Sequence, residues 1–237
     1  MVEYIIKRLS YCKQIDKIVI CTSQNSVDDP LELLALKHNI EIYRGSPSKV
    51  SERLVETGKI HKADYLIRIT GDNVFTAFEY IDKQISLIHK HELEYLRLEG
   101  VPLGTAAEVI KYETLMHCHS NIDPAVSEYL LLYLFDPTLY KCGLLFPLSD
   151  DYSHYTLTVD TLDDYHRTLK IIDLAEQPDK ITLSLKEIIA ILEKNSLKSA
   201  RLNTNTLINY PYGKTVSWNS FKSDMNSRIE QSVKFYG

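Results

Sequence analysis

The chain has 237 residues, of which 44% are hydrophobic and 25% are charged, and its formal net charge is −5. This length allows one large α/β domain or one domain with an appendage, and the acidic balance argues against nucleic acid as a partner, because phosphate binding requires a basic excess. No run of eighteen apolar residues occurs, and charges interrupt the first fourteen residues, so the sequence predicts neither a membrane span nor a signal peptide and favours a cytoplasmic protein.

The first third of the chain alternates helices with short strands. Apolar residues at helical spacing predict a helix over residues 3–13, and the β-branched run KIVICTS predicts a strand over 17–23, followed by a helix over 28–39. A strand over 41–46, a further helix and the apolar strand DYLIRIT (64–70) come next. This alternation predicts an α/β fold with a mostly parallel sheet, joined by right-handed crossovers and covered by helices on both faces.

The same pattern continues, less regularly, to the end of the chain. Later strands are predicted over 94–99, 107–111, 142–148 and 155–161, and later helices over 78–91, 124–135, 162–175, 184–194 and, in an irregular tail, 219–235. We therefore expect one α/β domain over 1–176 and a helical or irregular extension over 177–237 that packs on it.

Two aspartates follow predicted strands at their carboxyl ends. Asp72 comes after DYLIRIT with Gly71 before it, and Asp160 ends YTLTVDT. Ligands of parallel α/β sheets bind beyond this edge, and Mg²⁺ is commonly held by one or two carboxylates together with water and phosphate oxygens. The alternative is that both residues only form turns or cap helices, for which aspartate is equally suited.

Five stretches of the sequence resemble the cytidylyltransferase family, which includes the CMP-sugar-acid synthetases and the spore-coat polysaccharide biosynthesis branch. They occur in family order from residue 3 to about residue 175: EYIIKRLSYCKQIDKIVICTS, DDPLELLALKHNIEIYRGS, RITGDN, GTAAEVIKYETL and LTVDTLDDY. The resemblance implies a Rossmann-like nucleotidyltransferase fold and transfer of CMP from CTP to a sugar acid or related sugar. It also implies that Asp72 and Asp160 are catalytic ligands of Mg²⁺.

The resemblance assigns further residues to the two substrates. Arg44 and Ser46, in YRGS, correspond to a segment that lines the nucleotide pocket, and Arg68 lies in the RITGD motif, where a structural salt bridge is the alternative role. Gly104 and Glu108, in GTAAEV, correspond to positions near the sugar, and strand pairing or a surface position is the alternative for Glu108.

The sequence also departs from the family pattern. Family members begin with a strand and a basic loop of the type Arg-x-x-Ser-x-Arg-Leu-Pro-x-Lys that holds the triphosphate, and no such segment is found here. We therefore expect a fold that is incomplete at its N-terminus, because the sequence is either a fragment, a chain with a misassigned start, or a relative that no longer catalyses. A vacant sheet position would also favour homodimers, because exposed edges invite association.

Two other functions stay open from the sequence. The first is a catalytically silent binding or assembly module with the nucleotidyltransferase fold, which the missing loop favours. The second is a nucleotide-sugar glycosyltransferase in which Gly71-Asp72-Asn73 stands in for an Asp-x-Asp metal motif, although the second acid of that motif is absent.

Overall fold

The computed structural model describes residues 1–195, 197, 200–205 and 207–237. Its α-helices are α1 (Val2–Leu9), α2 (Pro30–His38), α3 (Val50–His61), α4 (Ile81–Lys90), α5 (Tyr112–Asn121), α6 (Leu130–Leu134), α7 (Leu162–Leu174), α8 (Leu185–Asn195) and α9 (Trp218–Gln231). Its strands are β1 (Val19–Ser23), β2 (Glu41–Gly45), β3 (Tyr65–Arg68), β4 (Tyr95–Leu98), β5 (Glu108–Lys111), β6 (Cys142–Phe146), β7 (Ile208–Asn209), β8 (Thr215–Val216) and β9 (Val233–Tyr236). None of the helices in these described ranges is long and apolar enough to cross a membrane.

The main sheet has five strands in the order β3-β5-β4-β6-β9. Strands β4, β6 and β9 are parallel, whereas β5 runs antiparallel to both of its neighbours, so the sheet is mixed. Strands β1 and β2 form a separate parallel pair, and β7 and β8 form a short antiparallel pair. The predicted α/β architecture is confirmed, with β5 as its antiparallel member.

Helices cover both faces of the main sheet, as predicted. Tyr95 and Leu144 point to one face, where they pack with α5, α6 and Met225 of α9. Leu96 lies on the other face with Ile88 of α4, and Leu98 lies there with Leu185 of α8. Alternate residues of β4 thus enter opposite cores, which is the consequence of the two-residue period of a strand.

Helix α1 packs between helix α4, which covers the main sheet, and the β1–β2 pair. Its residues Ile5 and Leu9 pack with Ile81 at the start of α4, whereas Ile6 packs with Ile20 of β1. Two faces of this helix are therefore buried. Ile5 and Leu9 share one face because residues four apart lie on the same side of a helix, and Ile6 lies on the adjacent face.

The last strand comes from the tail. Residues predicted as one helix over 219–235 form α9 and then β9, which extends the main sheet beside β6. Phe235 packs with both cores that lie under α4 and α8. Strand β9 and helices α8 and α9 are thus part of the same sheet and cores as the preceding residues, and the boundary at 176 itself stays a prediction.

The strand predicted over 155–161 is wrong. Only Tyr155 and Thr156 form isolated bridges, and the backbone amides of this stretch donate to several separate segments. Thr156 N donates to Ala200 O, Leu157 N to Leu103 O, and Val159 N to the turn after β3. Alternating apolar residues made this stretch resemble a strand, but no single neighbour runs beside it to form a ladder.

Candidate functional site

Asp72 lies in the turn that follows β3. The turn is closed by hydrogen bonds from Asn73 N to Thr70 O (3.0 Å) and from Thr76 N to Asn73 O (3.1 Å). The Oδ1 atom of Asp72 is buried, and no donor within the described residues reaches it; the same is true of Oδ1 of Asn73. Two neighbouring side chains therefore carry buried oxygen acceptors without partners, and such atoms require an explanation in a folded protein.

The segment that carries Asp160 contacts this turn directly. Val159 N donates to Asp72 O at 3.1 Å, and the side chain of Asp160 accepts a hydrogen bond from Thr158 Oγ1 to Oδ2 at 3.0 Å. The fold thus brings into contact the two segments that carry these acids, which are far apart in the sequence, through a backbone hydrogen bond.

The side-chain oxygen atoms of Asp72 and Asn73 in this turn are suitable ligands for a hard cation. Within the described part of the chain, no group of three or more His, Cys, Asp or Glu side chains could hold a metal ion. A zinc-type cage is therefore absent from these residues, whereas Mg²⁺ commonly uses one or two carboxylates and completes its octahedron with water and phosphate oxygens. Asp72 and Asp160 fit this second pattern.

Gly104 presses against the segment that leads to Asp160. It has a φ of +88°, and a Cβ atom at this position would lie 2.6 Å from Thr158 N. Just before this contact, Leu103 N donates to Tyr155 O and Leu103 O accepts a hydrogen bond from Leu157 N. The structure therefore shows a close backbone approach at Gly104, and its predicted contact with the sugar stays a prediction.

Arg68, which is partly buried, and Glu108, which is buried, form an ion pair across β3 and β5. Their side chains are joined through Arg68 Nη1 and Glu108 Oε2, and Tyr95 Oη donates to Glu108 Oε1 at 2.5 Å. Burial alone would raise the pKa of Glu108, but the charge of Arg68 and the hydrogen bond from Tyr95 lower it. Burial would likewise lower the pKa of Arg68, but the charge of Glu108 and, to a smaller extent, that of Asp72 raise it.

The structure therefore shows the alternative roles that the sequence left open: Arg68 forms a salt bridge, and Glu108 lies in a paired strand. Both carboxylate oxygens of Glu108 already have donors, and Arg68 forms the salt bridge that its strand position allowed. Contacts of Arg68 with a nucleotide and of Glu108 with a sugar stay predictions.

Arg44 and Ser46 lie at the carboxyl end of β2, in the other sheet. The guanidinium of Arg44 pairs with Asp29 (2.8 Å) and Glu32 (2.6 Å), and its Nε donates to Ser23 O. Ser46 accepts a hydrogen bond from Arg53 through its carbonyl oxygen. Arg44 therefore joins β2 to the loop after β1, and its role in nucleotide binding, like that of Ser46, stays a prediction.

Sequence reasoning missed the residues that shape the loop of Asp160. Thr161 and Asp164 form a capping box at the start of α7, and Arg167 follows one turn later. The spacing Thr-x-x-Asp is a signal for such a cap, since a side chain three residues into the helix can reach back to the first backbone amide. Arg167 gave no signal, because nothing in the sequence shows that it is buried.

A protein-family model and two relatives match most of the chain or more than half of it. A family model described as cytidylyltransferase matches residues 1–135. The spore coat polysaccharide biosynthesis protein SpsF of Bacillus subtilis is 32% identical over 190 residues, which are 78% of this chain and 78% of SpsF. An uncharacterized protein of Methanocaldococcus jannaschii, MJ1063, is 29% identical over 200 residues, which are 82% of this chain and 80% of that protein.

A solved structure shows the same fold. The structure of a cytidylyltransferase from Leptospira borgpetersenii serovar Hardjo-bovis superposes with a TM-score of 0.76 at 23% identity, and the match covers 86% of each chain. The predicted Rossmann-like nucleotidyltransferase fold is therefore confirmed.

Proposed function

Because the chain belongs to the cytidylyltransferase family, we propose that it transfers CMP from CTP to a hydroxyl group of a sugar or sugar acid and releases pyrophosphate. The name of SpsF, a relative assigned to spore coat polysaccharide biosynthesis, supports an acceptor destined for a surface polysaccharide. In this reaction an acceptor oxygen forms a bond to the α-phosphorus of CTP, and the bond from that phosphorus to the oxygen of the β-phosphate breaks.

Such a reaction depends mainly on alignment and on charge neutralisation. Asp72 and Asp160 would hold a Mg²⁺ ion, which supplies neutralisation of phosphate charge when bound. The protein's own contribution is to hold the segments of these two acids against each other, through the turn after β3 and the hydrogen bond from Val159 N to Asp72 O.

The observation that carries this proposal is the buried Oδ1 of Asp72, which no donor reaches within the described residues. A buried polar atom without a partner costs about 1–3 kcal/mol, and more when the group is charged. A cation bound at this oxygen would remove that cost and would give the unpaired carboxylate oxygen of Asp72 a partner.

Binding of CTP in the presence of Mg²⁺, measured by isothermal titration calorimetry, tests the proposal without knowledge of the acceptor. We expect the native chain to bind CTP only with Mg²⁺, and Asp72→Asn and Asp160→Asn to weaken binding about tenfold or more, because an amide is a poorer ligand than a carboxylate for a hard cation. Asp163→Asn is the matched control, since Asp163 is exposed and only three residues from Asp160; this variant should bind CTP like the native chain.

Absence of heat with millimolar CTP and Mg²⁺ would contradict the proposal and favour the catalytically silent module. If CTP binds, release of pyrophosphate with a panel of sugars and sugar acids identifies the acceptor. Release of a nucleoside diphosphate from a nucleotide-sugar would instead indicate a glycosyltransferase.

A further inference from the structure

Arg167 of α7 is a buried cation that reaches back from the helix to the loop of Asp160. The residue is 4% exposed. Its Nη1 donates to Asp164 Oδ1 at 2.6 Å, and its Nη2 donates to Thr158 O at 2.6 Å. One planar guanidinium thus joins the first turn of α7 to the residue two positions before Asp160.

Asp164 completes the connection from the other side. Its Oδ2 accepts hydrogen bonds from Thr161 N (2.9 Å), from Thr161 Oγ1 (2.8 Å) and from Asp160 N (3.2 Å). The backbone amide of Asp160 is therefore held by the carboxylate that Arg167 fixes, and the carboxylate of Asp160 is held by Thr158, whose carbonyl Arg167 also fixes.

We infer that Arg167 is a positioning residue for the proposed metal site, acting through Asp164 and Thr158 to hold the Asp160 carboxylate against the turn of Asp72. This inference rests on the proposed function, because it assumes that Asp160 is a ligand. Residues that orient a metal ligand from behind affect metal affinity by about 10–100-fold when they are replaced.

A role in helix stability alone does not account for this arrangement. The capping box of Thr161 and Asp164 already satisfies the start of α7 without Arg167. Taking a guanidinium out of water is costly unless it is paired, and a helix start does not need a buried cation. The planar fork of an arginine can reach both Asp164 and Thr158, whereas a lysine keeps the charge but can replace these contacts only in part.

Titration of Mn²⁺ in the presence of CTP, followed by the electron paramagnetic resonance signal of the free ion, tests the inference. We expect Arg167→Met and Asp164→Asn to weaken Mn²⁺ binding about tenfold or more, and Arg167→Lys to recover part of the loss. Hydrogen exchange of the amides of residues 158–161 should become faster in the same variants.

Arg228→Met is the matched control. Arg228 also lies on a helix, pairs with Asp224 of the same helix and donates to the carbonyls of Leu132 and Phe135, but it belongs to α9. Its replacement should lower the stability of the protein and leave Mn²⁺ affinity unchanged, which separates a loss of stability from a loss of positioning.

The outcomes distinguish this inference from the proposed function. If the native chain binds Mn²⁺ with CTP and folded Arg167→Met binds it equally well, the positioning role is wrong and the proposed function stands. If Arg167→Met does not fold, native affinity in Asp164→Asn and Arg167→Lys overturns the inference instead. If the native chain itself binds no Mn²⁺, both fail together.

Discussion

At the scale of single residues, the charge of Glu108 is balanced inside the sheet by protein groups. Arg68 and Tyr95 supply donors to both of its carboxylate oxygens, from the two strands that flank β5. A buried pair of this kind adds little stability compared with apolar residues, but removing one partner leaves the other charge buried without compensation.

Glu108→Gln should therefore lower the free energy of unfolding by about 3 kcal/mol, because the side chain keeps its shape while Arg68 loses its main counter-charge. Urea unfolding at neutral pH measures the change. The double variant Arg68→Met/Glu108→Gln should recover part of the loss, since it removes both charges together. Equal stability of the native chain and of Glu108→Gln would show that the pair is not the balanced unit described.

The position of a site residue could be predicted where a single strand or motif determines it. It could not be predicted where contacts between distant segments determine it. Asp72 could be placed at the end of a strand from the apolar run DYLIRIT that precedes it. The function of Arg167 could not, because its contacts with Thr158 and Asp164 depend on how α7 turns back onto an extended segment. The ion pairs of Arg44 with Asp29 and Glu32 could not be predicted either, because they depend on how the start of α2 packs beside the end of β2.

At the scale of elements, the loop between β4 and β5 shapes the segment that ends at Asp160. Gly104 lies where a side chain would collide with Thr158 N. Gly104→Ala should therefore displace the 157–158 segment, lower the free energy of unfolding by more than the roughly 1–3 kcal/mol of backbone strain alone, and weaken CTP binding in Mg²⁺.

Gly213→Ala provides the matched control for this prediction. Gly213 also has a positive φ, +68°, but nothing lies within 4 Å of the position that its Cβ would take. Backbone strain of the same kind is thus introduced without the collision. If urea unfolding gives the two alanine variants equal losses of stability, and CTP binds to both equally, the contact between Gly104 and Thr158 does not shape the site.

Helices could be predicted where burial of one face gives the sequence a regular spacing of apolar residues. Helices α4, α7 and α8 lie close to their predicted ranges. The prediction failed for residues 155–161, because the alternation of apolar and polar residues there reflects contacts with three separate segments rather than a sheet. Residues 233–235 were assigned to the end of a helix, because their pairing with β6 is a long-range contact that the local sequence pattern does not record.

At the scale of the whole molecule, the site depends on segments that only the complete fold brings together. Backbone hydrogen bonds join the stretch before α7 to two other segments. Val159 binds Asp72 in the turn after β3, and Tyr155 and Leu157 bind Leu103 in the loop before β5. Helix α1 and strand β9 come from opposite ends of the chain: α1 packs with α4 and β1, and β9 forms the edge of the main sheet beside β6. Family resemblance predicted that the two acids meet, whereas the sequence pattern alone left a turn as the alternative.

The most direct test of the central claim is an anomalous difference map from crystals of the protein grown with CTP and Mn²⁺ in place of Mg²⁺. We expect one peak within direct coordination distance, about 2.0–2.3 Å, of carboxylate oxygens of both Asp72 and Asp160. A map in which CTP is bound and Mn²⁺ lies away from either carboxylate, or in which the two carboxylates face different ligands, would contradict the shared metal site.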